Sequence, residues 1–84
     1  MVSYFSIGGA MAEIKFEIVE CLGVLSTNEK GWTKELNIVS WNEREAKYDL
    51  REWNPDHTRM SKGITFTEEE AEKLFYILED DLKE

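Results

Sequence analysis

Apolar and polar residues alternate first at Ile14, Phe16 and Ile18, which are interleaved with Lys15, Glu17 and Val19. A period of two predicts a half-buried strand. The apolar signal continues through Leu22, Val24 and Leu25, but its parity shifts near Gly23, and a bulge or bend accounts for the shift. Thr27 to Gly31 is a turn cluster. A second strand is expected from Trp32 to about Trp41. Its facing is ambiguous, because Leu36, Ile38, Val39 and Trp41 do not share one parity. A polar turn over Asn42 to Glu45 leads to a third strand from about Ala46 to Trp53. Asn54-Pro55-Asp56 then opens a loop to about Lys62, since Pro55 has no N–H to give a sheet. Gly63 to Phe66 reads as a short last strand.

Thr67-Glu68-Glu69-Glu70 has the spacing of a capping box, with Thr67 at the N-cap and Glu70 at the third helical position. The helix it starts carries Ala71, Leu74, Phe75, Leu78 and Leu82 on one stripe. The order strand-strand-strand-strand-helix predicts an α+β fold, a four-stranded antiparallel meander with the C-terminal helix on one face. Tyr48 and Leu50 are then expected toward the helix, and Lys47, Asp49, Arg51 and Trp53 on the open face. Tyr76 and Ile77 widen the helix stripe beyond what one sheet covers. The surplus predicts a homodimer through the helix, with Leu74, Phe75, Ile77 and Leu78 at the interface.

The chain has 84 residues, the size of one domain, expected over residues 11–84. Residues 1–10, MVSYFSIGGA, carry no charge and are expected as a flexible or appended extension; the alternative is an edge strand through Tyr4 and Phe5. They lack the basic flank of a signal peptide, and no apolar run approaches the ~20 residues that span a membrane. The lone Cys21 cannot close an internal disulfide, which fits a reducing compartment. The expected location is therefore cytoplasmic, and nucleoid-associated in a bacterium. Net charge is -8, concentrated from Thr67 onward, so the middle of the chain is free to present positive patches.

Catalysis finds little support. His57, the single histidine, lies in a loop and reads as solvated. Cys21 reads as a small buried hydrophobe, and nothing in the spacing joins the two as nucleophile and base. Glu68-Glu69-Glu70 reads as a helix start rather than a metal site. No enzyme activity, cofactor, metal or small-molecule substrate is expected.

A binding surface is the stronger reading. Lys47, Arg51 and Trp53 share one parity, Trp32 and Lys34 lie on the preceding strand, Lys30 in its turn, and Trp41 at its far end. Cations track phosphates and flat rings stack on unpaired bases, so such a surface suits single strands over duplex. Asn37, Asn42 and Ser40 would add hydrogen bonds. The alternative is structural: one or two of the tryptophans belong to the core, and Asp49 and Arg51 form a cross-strand ion pair.

Three segments carry a resemblance: Gly31 to Asn42, GWTKELNIVSWN; Lys47 to Trp53, KYDLREW; and Lys62 to Glu70, KGITFTEEE. Together they resemble the single-stranded-DNA-binding domain of the transcriptional coactivator positive cofactor 4, most closely its compact bacterial, YdbC-like branch. The resemblance implies a strongly curved four-stranded sheet followed by a helix, paired through the helices, with grooves that hold single-stranded DNA largely without regard to sequence. Carried to matching positions, the contacts would be Lys30, Trp32 and Lys34; Lys47, Arg51 and Trp53; and Lys62. The Ser- and Lys-rich region that precedes the eukaryotic domain has no counterpart here. Two alternatives stay open: a transcription-associated protein-interaction module using the same face, and a single-stranded RNA binder.

Overall fold

A computed structural model describes residues 3–6 and 13–83. Five strands, β1 (Ser3–Ser6), β2 (Glu13–Thr27), β3 (Thr33–Trp41), β4 (Lys47–Trp53) and β5 (Ile64–Phe66), form one sheet in chain order, followed by helix α1 (Glu68–Leu82). Every pairing is antiparallel. The meander β2 to β5 with its C-terminal helix is the expected α+β architecture. Within the segment expected as an extension, Ser3 to Ser6 pair with Phe16 to Glu13 as an edge strand; residues 1, 2 and 7–12 lie outside the described residues.

β2 is longer than β3 because Glu13 to Lys15 extend beyond it to pair with β1 and because the register with β3 slips three times, between Ile18 and Glu20, Cys21 and Gly23, and Val24 and Ser26. The sequence predicted one irregularity near Gly23. The residues left over are Val19, Leu22 and Leu25, and all three are exposed. Each extra residue bends and twists the ribbon, so an apolar period of three is the trace of repeated bulging in a strand whose native period is two.

The bending decides which face is covered. Phe16, Val39 and Trp53 form the buried core, with Ile18, Trp41 and Met60 packed against them. Phe16 tilts against both Trp41 and Trp53, at centroid distances of 5.6 and 5.3 Å. This inner face is the one turned away from α1, the face expected to be open. The chain after β4 returns through a Trp53–Met60 bridge and helps to close it.

The helix side is looser. The capping box forms, with Glu70 N–H donating to Thr67 Oγ1 and Thr67 N–H to Glu70 Oε1. Tyr48 stacks on Phe66, which fixes the parity of β4 as expected. Yet α1 buries none of its residues. A cleft of about 500 Å³ separates it from the sheet, lined by Leu36, Tyr48, Phe66, Leu74, Phe75 and Leu78 among others.

Candidate nucleic-acid interface

The turn between β2 and β3 is built around Asn28. Its Oδ1 accepts from the N–H groups of Lys30 and Trp32 at 2.9 and 3.0 Å, and its backbone N–H donates to the Trp32 carbonyl at 2.8 Å. Gly31 holds a φ of +84°, and a Cβ there would sit 3.3 Å from Pro55 Cγ. The turn backbone at Gly31 thus lies close to the loop that follows β4.

That loop is ordered by its own polar side chains. Asn54 Oδ1 accepts from the Arg59 N–H at 2.8 Å, and Asn54 Nδ2 donates to Thr58 Oγ1. Asp56 Oδ1 accepts from both the N–H and the hydroxyl of Thr58, and these bonds hold the Asp56 carboxyl below its ordinary range. His57 adopts a left-handed φ of 57°, which directs its ring back over the sheet. The imidazole stacks on Trp53 with centroids 5.5 Å apart, and Nε2 lies 2.9 Å from Glu35 Oε2. His57 is therefore not a free loop residue.

Glu35 is 3% exposed. Burial pushes its carboxyl up, but hydrogen bonds from Thr33, Asn37 and His57 and the His57 charge outweigh that, and the group lies below its usual range. Cys21 Sγ lies 4.0 Å from its other oxygen. Cys21 is exposed rather than buried as expected. The Glu35 carboxylate stands between thiol and imidazole, so His57 has no contact with the sulfur it would need to activate.

The centre of the inner face is an ion pair. Arg51 Nε and Nη2 grip Asp49 Oδ1 and Oδ2 at 2.7 and 2.6 Å. Nη1 reaches Met60 Sδ at 3.3 Å, and the guanidinium lies 4.6 Å from the Trp41 ring centroid. Asp49 is 0% exposed. Burial pushes its carboxyl up against the pull of Arg51 and the Trp41 indole; the two-pronged geometry is that of a carboxylate. The two residues do pair, but along β4 rather than across strands as expected.

These arrangements divide the expected contacts. Lys30 and Trp32 come together in the Asn28 turn. Trp53, expected as an exposed stacking ring, is 0% exposed; Phe16 and His57 cover it. Arg51 directs three of its five N–H groups to Asp49 and Met60, and its side chain is 13% exposed. Asn37 is buried with its amide on Glu35. Ser40 donates to the Arg44 carbonyl at 2.6 Å and closes the β3–β4 turn. Lys34 pairs in register with Glu52 and Ser26 and shares the parity of Leu36, so it lies on the helix side rather than beside Trp53. Lys47 is exposed at the far end of β4, where its charge reaches Glu70. Lys62 is exposed just before β5. Gly63, its neighbour, has no room for a side chain: a Cβ would overlap the Leu50 carbonyl and Arg51.

Two surface residues were missed. Arg59 is exposed where its backbone pairs with Asn54 to close the loop, and His57 is half-buried within that loop. The signal was present in Asn54, Asp56 and Thr58, whose short side chains fold a loop onto itself. Among the described residues no cluster of His, Cys, Asp and Glu fits a metal ion, and no helix is long and apolar enough to cross a membrane.

Comparison with known proteins gives the frame for this geometry. A family model described as Transcriptional Coactivator p15 (PC4) matches residues 28–77. That span runs from the Asn28 turn to the middle of α1. An uncharacterised protein of Treponema pallidum (strain Nichols) is 45% identical over 62 residues, covering 74% of this chain and 73% of that protein.

Proposed function

We propose that this chain, which belongs to the transcriptional coactivator p15 (PC4) family, binds single-stranded DNA as a homodimer, largely without regard to base sequence. The carrying observation is the turn in which Asn28 binds the backbone N–H groups of both Lys30 and Trp32, with Gly31 between them against Pro55 of the loop that carries His57 and Arg59. A cation next to a half-buried indole engages a phosphate and the base attached to it. Lys47 and Lys62 extend the cationic track along the sheet. Trp41 packs against Phe16 and under the Arg51 guanidinium, so its ring backs this surface. Trp53, Asn37 and the Arg51–Asp49 pair support this surface from beneath.

The second copy is argued from α1. Phe75, Ile77 and Leu78 are exposed, Ile77 at 66%, and the cleft beneath the helix is lined largely by apolar side chains. The bulged residues Val19, Leu22 and Leu25 add more uncovered apolar area. A domain of this size buries little of its surface alone, and a self-complementary apolar face is what a twofold dimer uses. The alternative partner for that face is a different protein in transcription. Single-stranded RNA is the alternative nucleic acid, because stacking and phosphate contacts serve either sugar. A site of action where DNA is unpaired follows: the cytoplasm, at the nucleoid in a bacterium such as the Treponema relative's source.

Titration of the tryptophan fluorescence with oligo(dT), oligo(rU) and duplex of equal length tests the reading. Saturable quenching by oligo(dT), with duplex much weaker, is expected. Equal response to duplex would refute stacking as the basis of recognition.

A further inference from the structure

His57 is held by two restraints that have no role in closing its loop: the Glu35 carboxylate at Nε2 and the face of Trp53. The loop itself closes through Asn54, Asp56 and Thr58, and only the His57 backbone N–H takes part, donating to the Asn54 carbonyl at 3.0 Å. The imidazole side chain remains 39% exposed. It forms the outer layer of a stack in which Phe16 and Trp53 are the inner layers.

The hydrogen bonding assigns the ring's protons. Glu35 Oε1 accepts from Asn37 Nδ2 at 3.1 Å, and Oε2 accepts from the Thr33 hydroxyl and faces His57 Nε2. A buried carboxylate offers only acceptors, so Nε2 carries a hydrogen in either charge state. The atom that gains or loses a proton is then Nδ1. Protonation there places a full positive charge and a new N–H donor on the exposed ring, while Glu35 keeps the ring in place.

We infer that His57 is a further contact of the single-stranded nucleic acid, a ring that stacks on a base and, when protonated, adds one phosphate-neutralising charge beside Lys30 and Arg59. The inference rests on the proposed function and adds a pH dependence to it. The charged and titratable groups facing the ring are few. Glu35 comes from β3, with Cys21 from β2 on its far oxygen. Asp49 on β4 is occupied by Arg51. Within the loop, Asp56 is occupied by Thr58 and Arg59 is exposed. His57 is the single histidine of the chain, and histidine is the side-chain type whose charge changes most readily between about pH 8 and about pH 5.5.

The test measures oligo(dT) affinity against salt at both pH values, for the parent and for His57→Asn, which tolerates the left-handed backbone. Each phosphate neutralised on a single strand contributes roughly 0.7 to the slope of log affinity against log salt. The parent slope is expected to steepen by about 0.7 on acidification, and the His57→Asn slope to stay constant. A parent that binds with a pH-independent slope overturns the inference and leaves the proposed function standing; so does steepening that persists in His57→Asn. No oligo(dT) binding by folded parent at either pH overturns both. A second readout needs no variant: the NMR titration midpoint of the His57 ring moves up when oligo(dT) is bound, by linkage. An unmoved midpoint also overturns the inference.

Discussion

Replacing Trp53 by alanine separates a core ring from a recognition ring. The side chain is 0% exposed, lies 5.3 Å from Phe16 and carries His57 on its other side. Removing a buried tryptophan costs roughly 3–5 kcal/mol. Within that sum, the tilted Phe16 pair accounts for about 0.5–1.5 kcal/mol beyond simple burial. A chain of 84 residues, at about 0.05–0.15 kcal/mol per residue, has roughly 4–12 kcal/mol in all. The substitution therefore removes about a quarter or more of the stability. Urea unfolding followed by circular dichroism, at one fixed protomer concentration because the proposed dimerisation would be linked to folding, should show a large fall in midpoint with little change in slope. Trp53→Phe should lose much less, since it keeps a ring against Phe16 and deletes an indole N–H that is buried without a partner. A Trp53→Ala loss below about 1 kcal/mol, the size of a surface change, combined with weakened oligo(dT) binding, would refute the core assignment.

Four further outcomes follow from the same contacts. Arg51→Ala leaves Asp49 buried and unpaired and should lose about 3–5 kcal/mol of stability; normal urea stability would refute the pair's structural role. Gly63→Ala drives a Cβ into the Leu50 carbonyl and should cost about 1–3 kcal/mol as overpacking does, again by urea midpoint. Glu35 is held below its ordinary range, so its stabilisation is present above the unfolded pKa and lost as pH falls through the lower folded one; Glu35→Gln should flatten the acid limb of a stability–pH curve, and an unchanged limb would contradict the network. In light scattering the parent should be a dimer, and a charge introduced at Ile77 should weaken it more than one at the exposed Glu72; a monomeric parent at high micromolar concentration rules the dimer out.

Much of the fold could be read from the chain because its signals are local. The Thr67–Glu70 spacing set the helix start, Pro55 ended β4, and Tyr48 and Leu50 take the parity that alternation assigned them. What local pattern did not reveal was which face would be buried. Alternation gives two faces but not their curvature, and the curvature comes from three bulges visible only as a period of three at Val19, Leu22 and Leu25. The same gap displaced part of the candidate site. Trp53, Asn37 and Arg51 have the side-chain chemistry of ligand contacts, and the curled sheet uses that chemistry internally. Lys34 was grouped with Trp53 because the parity of β3 was ambiguous until its register with β4 was known. His57 and Glu35 are 22 positions apart, and no spacing rule joins a strand carboxylate to a loop imidazole across that interval.

The central claim is that the cationic and aromatic groups around Lys30 and Trp32 hold unpaired DNA. The most direct test is fluorescence anisotropy with labelled oligo(dT) of about 20 nucleotides, comparing the parent with Lys30→Ala and Trp32→Ala. Loss of the Trp32 ring should weaken binding by roughly 1–3 kcal/mol, the worth of one stacked base. Loss of the Lys30 charge should flatten the salt slope by about 0.7 per subunit. Both variants should unfold in urea near the parent midpoint, since the turn is held by Asn28 and by backbone groups rather than by these two side chains. Tight parental binding left unchanged by both substitutions would contradict the account.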